Sequence, residues 1–207
     1  MSPDWRQHLR HTLATSSEHE RPLIAVGDWT AAQRAQLDAI LAAELRRAAV
    51  LVPVMDRDGG PTILLTRRSE SLRQHKGQIS FPGGVIDDND ASYAAAALRE
   101  ANEEVGLRSD TADVVGYLDD HPTLTGYRIT PVVAIVAPFT PEVNPDEVAD
   151  VLELPLSYLY DAARFEQRRY ERGDLSVPYF ELRHDDHLIW GATAGILWNL
   201  HRRLVES

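Results

Sequence analysis

The 207-residue chain has no cysteine. Disulfides, thiolate metal sites and cysteine nucleophiles are therefore excluded, and the absence fits a reducing, cytoplasmic setting. Long apolar runs are missing as well. The two longest, residues 48–55 and 132–139, each contain a proline and fall well short of the ~20 residues that span a bilayer. The first twenty residues carry Arg6, His8, Arg10, His11, Glu18 and Glu20 in place of a signal-like apolar stretch. A soluble protein without a membrane partner is expected. Positive charge is scarce: 21 Lys and Arg stand against 32 Asp and Glu, a formal net charge of −11. Such a surface repels nucleic acid and anionic membranes, but admits an anionic small molecule wherever basic residues gather locally.

What is present describes an ordinary folded chain. Hydrophobic residues make up 43% and charged residues 26%, typical of a globular protein long enough for one well-buried core. Residues 1–29 read as irregular or partly helical. A helix then starts on Thr30 and Gln33, a capping-box pair, with Leu37, Ile40, Leu41 and Leu45 as its apolar stripe. Strands are expected at 49–55, 62–66, 78–81, 114–118 and 129–136, with a turn at 58–61; Pro131 favours a strand that begins at, or runs along, an edge there. Residues 179–182 and 187–190 read as a hairpin, and a last helix covers about 192–204. Between the strands, 91–105 is alanine-rich and helix-forming, with Asp90 placed to cap its first turn and Gly106 to end it. Without strict βαβ alternation, the expected class is α/β (α+β): mixed sheet layers sandwiched by helices. Residues 1–45 form an N-terminal helical extension packed on the domain of 46–207, and this extension is a candidate homodimer surface.

The chemistry concentrates on the 91–105 helix. Glu100, Glu103 and Glu104 are spaced i, i+3, i+4 and project from one face. Their mutual repulsion costs roughly 0.2–0.5 kcal/mol per close pair, and the helix dipole disfavours carboxylates in the last turn. A divalent cation reverses that cost, and hard oxygen ligands select Mg²⁺ or Mn²⁺. The plain alternative is a solvated acidic face. Ala94, Ala97, Ala101 and Val105 supply a packing face that gives the carboxylates a defined direction.

The segment Arg99-Glu100-Ala101-Asn102-Glu103-Glu104-Val105-Gly106-Leu107, with the glycine pair at 83–84, resembles the Nudix box. Its second half matches throughout. In the first half the loop is one residue longer and aspartate, Asp90, stands where glutamate is usual. The resemblance implies that Glu100 and Glu104 bind metal, that Glu103 is a further ligand or assists the water, and that Arg99 pairs with a neighbouring carboxylate. It also makes Glu147, at the place of a loop glutamate, a candidate base.

Upstream, residues 64–84 (LLTRRSESLRQHKGQISFPGG) resemble the signature of the coenzyme A diphosphatase branch of that superfamily. The likeness continues through HPTLTGYRITP at 121–131, through 146–148 and through WGATAG at 190–195. Arg67, Arg68, Arg73, His75 and Lys76 gather positive charge in an otherwise acidic chain. Arginine's forked donors suit phosphate oxygens, while Gly77 and the 83–84 pair let backbone approach them. Arg68, Arg73, Lys76 and Gly77 are the candidate substrate contacts; each basic residue could equally be a solvent-facing loop cation.

The resemblance implies metal-dependent hydrolysis of coenzyme A to adenosine 3′,5′-bisphosphate and 4′-phosphopantetheine. An ADP-ribose or dinucleotide diphosphatase, and a non-hydrolytic nucleotide-sensing module, remain the alternatives. The pairs His8/His11 and His184/His187 lack a nearby third ligand in sequence, which argues against zinc. Trp190, Trp198 and Tyr179 read as core or groove wall rather than a nucleobase platform, with stacking of one of them on adenine as the alternative.

Overall fold

A computed structural model describes residues 4–19, 21–23, 30–31, 34–35, 37–38, 44–71, 76–172 and 175–206. Its centre is β1 (Arg46–Met55), whose run of buried residues fits a strand covered on both faces. β1 lies parallel to β7 (Tyr127–Val136), in register from Arg46↔Tyr127 to Met55↔Val136. Its other edge is shared. The first half pairs with β4 (Gly83–Val85) and the end with β2 (Thr62–Arg68), after a turn closed by Gly60 N–H on the Arg57 carbonyl (2.8 Å). β2 carries β3 (Ile79–Ser80) on one side and β8 (Val148–Pro155) on the other. β5 (Ala112–Tyr117) and β6 (His121–Pro122) line the far side of β7. A second sheet, of order β11-β10-β9, comprises β9 (Glu166–Arg172), β10 (Leu175–His184) and β11 (His187–Trp190).

Side-chain alternation along β1 and β7 creates two cores. Leu51, Met55, Val132 and Ala134 face α2 (Tyr93–Val105), which buries Ala96, Ala97, Ala101 and Val105 against them. Val52, Val54, Val133 and Ile135 face the other way, toward α1 (Trp5–Leu13) and α3 (Gly191–Glu206), where Leu9, Leu13, Leu197 and Leu200 are buried. The expected mixed sheet between helices is thus the observed one. The hairpin turns at Asp185-Asp186, with His184 paired to His187. Among the described residues no helix is long and apolar enough to cross a membrane.

Several expectations need correcting. α2 starts two residues late, because Ser92 rather than Asp90 caps it: Ser92 Oγ accepts the Ala95 N–H (3.0 Å). Gly106 ends it as expected, at φ 69°. Residues 82–84 do not simply end a strand; Gly83 and Gly84 enter β4. β7 is not an edge strand. Pro131 is tolerated because its carbonyl, and hence its missing N–H, faces the break between β5 and β6, where the carbonyl accepts from Leu118 N–H (3.1 Å). Of the 30–45 helix, residues 31, 34, 35, 37 and 38 are helical and Leu45 is not; Gln33, Ile40 and Leu41 lie outside the described residues.

His121, from the HPTLTGY stretch, is buried, and its Nδ1 has no partner. A side chain at Gly195 would stand 2.5 Å from its ring. Burial holds the imidazole down at about 4, so the native state resists a proton that the unfolded chain accepts near 6.5. The unfolded state therefore binds more protons between about pH 6.5 and 4, and stability falls as pH drops through that window. Urea unfolding of wild type and His121→Gln at pH 7 and pH 4.5 should show the wild-type advantage shrinking by about 2 kcal/mol. An advantage equal at both pH values refutes the assignment.

Candidate active site

Arg99 organises the acidic end of the molecule. Its Nε and Nη2 donate to the two oxygens of Asp90 (3.0 Å each), and Nη2 also reaches the Val85 carbonyl of β4 (3.3 Å). Its Nη1 donates to Glu100 Oε1 (2.9 Å) and Glu103 Oε2 (3.0 Å). Asp90 is held below the usual carboxylate range, chiefly by its bonds from Arg99. Asp90 also accepts the Asp87 N–H (2.9 Å). The aspartate that replaces the usual glutamate is therefore Arg99's partner, and one residue of extra loop accompanies the shorter side chain.

The three helix carboxylates have different surroundings. Glu103 is half exposed and turned to Arg99. Glu100 lies directly over Gly84, where a Cβ would come within 2.5 Å of its carboxylate. Burial pushes Glu100 above its ordinary range, against the pull of Arg99. Glu104 is the extreme case: 3% exposed, with Oε2 lacking any partner. Burial drives its carboxyl up to about 8, Arg68 pulls it back, and the charges of Glu100 and Glu147 push it further.

Arg68 supplies the complementary defect. It is half-buried near Glu104, and its Nε is buried without a hydrogen-bond partner. Its backbone N–H bonds the Gln78 carbonyl (2.9 Å), and its carbonyl accepts from Gly77 N–H (3.1 Å). Gly77 sits at φ 65° against Glu70, and Lys76 is exposed. Arg73 and His75 lie outside the described residues. Glu147 is half-buried, and its charge reaches both Glu100 and Glu104. Thus Arg68, Arg99, Glu100, Glu104 and Glu147 come together, whereas Lys76 projects to solvent.

The donor set fits a hard divalent cation. Among the described residues no three acidic or histidine side chains already surround one point, since Arg99 engages Glu100 and Glu103. Even so, an unpartnered buried carboxylate oxygen one helical turn from a second, part-buried carboxylate is a position that a cation satisfies and a solvated acidic face would not contain. Elsewhere, His8 Nε2 bonds the Leu204 carbonyl (3.0 Å). Trp198 stacks on Phe180 at 4.4 Å, whereas Trp190 meets Tyr179 edge-on and is exposed.

A model of the NUDIX domain matches residues 45–172. The chain belongs to the Nudix family. Its hydrolases act on diphosphate bonds, and Nudix domains bind nucleotide-type small molecules. The chain is 45% identical over 157 residues to the "uncharacterized Nudix hydrolase NudL" of Escherichia coli strain SMS-3-5, covering 75% of this chain and 81% of that protein. It is 44% identical, at the same coverage, to the protein of that name from Shigella boydii serotype 18. A MutT/nudix family protein from Enterococcus faecalis superposes with a TM-score of 0.49 at 16% identity, over 86% of this chain and 71% of that one.

Gly84 leaves the space that the Glu100 carboxylate occupies. The first atoms that a side chain there meets are the far end of Glu100, which can swing aside, so Gly84→Ala should cost little stability. If Glu100 is a ligand of the divalent ion that Nudix hydrolases typically use, displacing it should weaken Mn²⁺ binding, measured by titration calorimetry, by about tenfold, the scale seen when a ligand's support is removed. Unchanged Mn²⁺ affinity would show that Glu100 does not hold the ion.

Proposed function

We propose that this Nudix hydrolase cleaves the diphosphate of coenzyme A, or of a coenzyme A derivative, to adenosine 3′,5′-bisphosphate and 4′-phosphopantetheine. The observation that carries this reading is Arg68. It belongs to the segment at 64–84 that resembles the coenzyme A branch, and it stands beside Glu104 with a buried donor unspent. A diphosphate oxygen is the acceptor that such a donor lacks.

In this reading Glu100 and Glu104 would hold Mg²⁺ or Mn²⁺, and Glu103 would join them once released from Arg99. A divalent ion held there would supply Lewis-acid polarisation of a phosphoryl oxygen and a more acidic water. Arg99, fixed by Asp90 and the Val85 carbonyl, keeps Glu100 oriented. Arg68 neutralises charge growing on the diphosphate. Glu147 takes the water's proton; Arg73 and Lys76, from the same basic segment, are the proposed partners of the remaining phosphates, Lys76 by turning in from solvent, and Gly77, whose N–H is held by the Arg68 carbonyl, leaves room for their approach.

The test is a chelator-controlled hydrolysis assay with Mg²⁺ or Mn²⁺ on coenzyme A, dephospho-coenzyme A, ADP-ribose and NADH. Coenzyme A should be cleaved with release of phosphopantetheine, and removal of the 3′-phosphate should lower kcat/KM. Cleavage of ADP-ribose or NADH alone would discard the substrate assignment while keeping the carboxylate site. Cleavage of none would favour a nucleotide sensor.

A further inference from the structure

The loop that carries Glu147 is pinned from two sides, and the side chain of Asn144 closes the turn between them. The sequence Asn144-Pro145-Asp146-Glu147 forms a tight turn, with Glu147 N–H donating to the Asn144 carbonyl (3.1 Å). Asparagine first and proline second is the favoured order for such a turn. Asn144 Oδ1 accepts the Asp146 N–H (3.2 Å), and its carbonyl also accepts Val148 N–H (2.8 Å). The Asn144 N–H in turn donates to the carbonyl of Glu104 (2.9 Å), and Glu142 N–H to that of Val105 (3.0 Å). These two carbonyls belong to the last turn of α2, where no intrahelical donor remains. From the opposite side, Ser69 N–H donates to the Glu147 carbonyl (2.8 Å) and Ser71 Oγ to the Asp146 carbonyl (3.2 Å); the two serine hydroxyls are 2.9 Å apart. Ser69 directly follows Arg68.

We infer that Asn144 is a positioning residue: it fixes the Glu147 carboxylate relative to Glu104 and Arg68, so that the three act as one unit. This inference rests on the proposed hydrolytic role of Glu147. Backbone bonds at 144 can be made by any residue, but the Oδ1 bond inside the turn needs a short side-chain acceptor. Losing it frees the Asp146 N–H and loosens the turn that presents Glu147, while leaving the Glu104 side chain and the Arg68 loop in place. Turnover should therefore suffer more than binding.

The experiment compares wild type, Asn144→Ala and Asn144→Asp on whichever diphosphate the wild type hydrolyses. Alongside turnover, Mn²⁺ affinity is measured by titration calorimetry and amide exchange across 142–148 without substrate. Asn144→Ala should lose at least about tenfold in kcat, with KM and Mn²⁺ affinity changed less than about threefold, and its 146–148 amides should exchange faster. Asn144→Asp, which keeps the acceptor, should recover most of kcat and the slow exchange. An Asn144→Ala variant with wild-type kcat overturns the inference alone. So does one that loses Mn²⁺ affinity in step with kcat, or one that Asp does not rescue. A wild type that hydrolyses no diphosphate overturns the functional reading and this inference with it.

Discussion

Glu104→Gln is expected to lose at least about a hundredfold in turnover, in line with the effect of removing one preorganised electrostatic group, while the fold keeps or gains stability. The two halves have one cause. Glu104 is buried, one of its oxygens has no partner, and its carboxyl is pushed up to about 8 by burial. Without a cation the native state therefore gains little from its charge, and the amide fills the same space. With a cation, the charge is what binds. Thermal unfolding with and without Mn²⁺ should show an ion-dependent rise in Tm for wild type that is absent from the variant. Near-normal turnover, or a collapse in Tm without metal, would mean that Glu104 serves packing and not the ion.

The largest effect on stability is expected far from the carboxylates, at Asp120. Its side chain is fully buried and paired with Arg21 (2.7 Å) and Arg128, and it accepts from Thr130 Oγ1 (2.8 Å). Arg21, 5% exposed, lies over the Tyr93 ring at 4.6 Å. The Asp120 N–H also donates to the Pro22 carbonyl (3.0 Å). One carboxylate thus fastens the segment after α1 to β7 and to the start of α2. Asp120→Ala leaves two guanidinium groups facing each other, at least one of them buried, without a counter-charge. Breaking a buried pair in this way costs roughly 3–5 kcal/mol, to be read in chemical denaturation. A loss below about 1 kcal/mol would show that water already screens the cluster.

Both cases separate what is local in the chain from what is not. The i, i+3, i+4 carboxylates, the alanine packing face, the Gly106 cap and the alternating hairpin at 179–190 depend on neighbours a few residues away, so their spacing is readable directly. β9 is different. Its sequence, EQRRYER, has no apolar alternation, and residues 166–171 are exposed; it is a strand because β10 lies beside it. The short strand at 83–85 likewise exists because β1 leaves half an edge open. Asp90 shows the same limit within the site. As a helix cap it is a reasonable local reading, but Arg99, nine residues away, competes for its oxygens and Ser92 takes the cap.

By itself the sequence determined the mixed α/β architecture and the identity of the carboxylate helix, because hydrophobic period, capping and charge spacing act over one or two turns; the family was legible from the likeness of residues 99–107 to the Nudix box. Only the tertiary structure decided which carboxylates differ. Glu103 faces solvent and Arg99, while Glu104, its neighbour in the chain, is buried beside Arg68. Burial and long-range charge, which no spacing encodes, drive the Glu104 carboxyl up and leave its oxygen unpartnered.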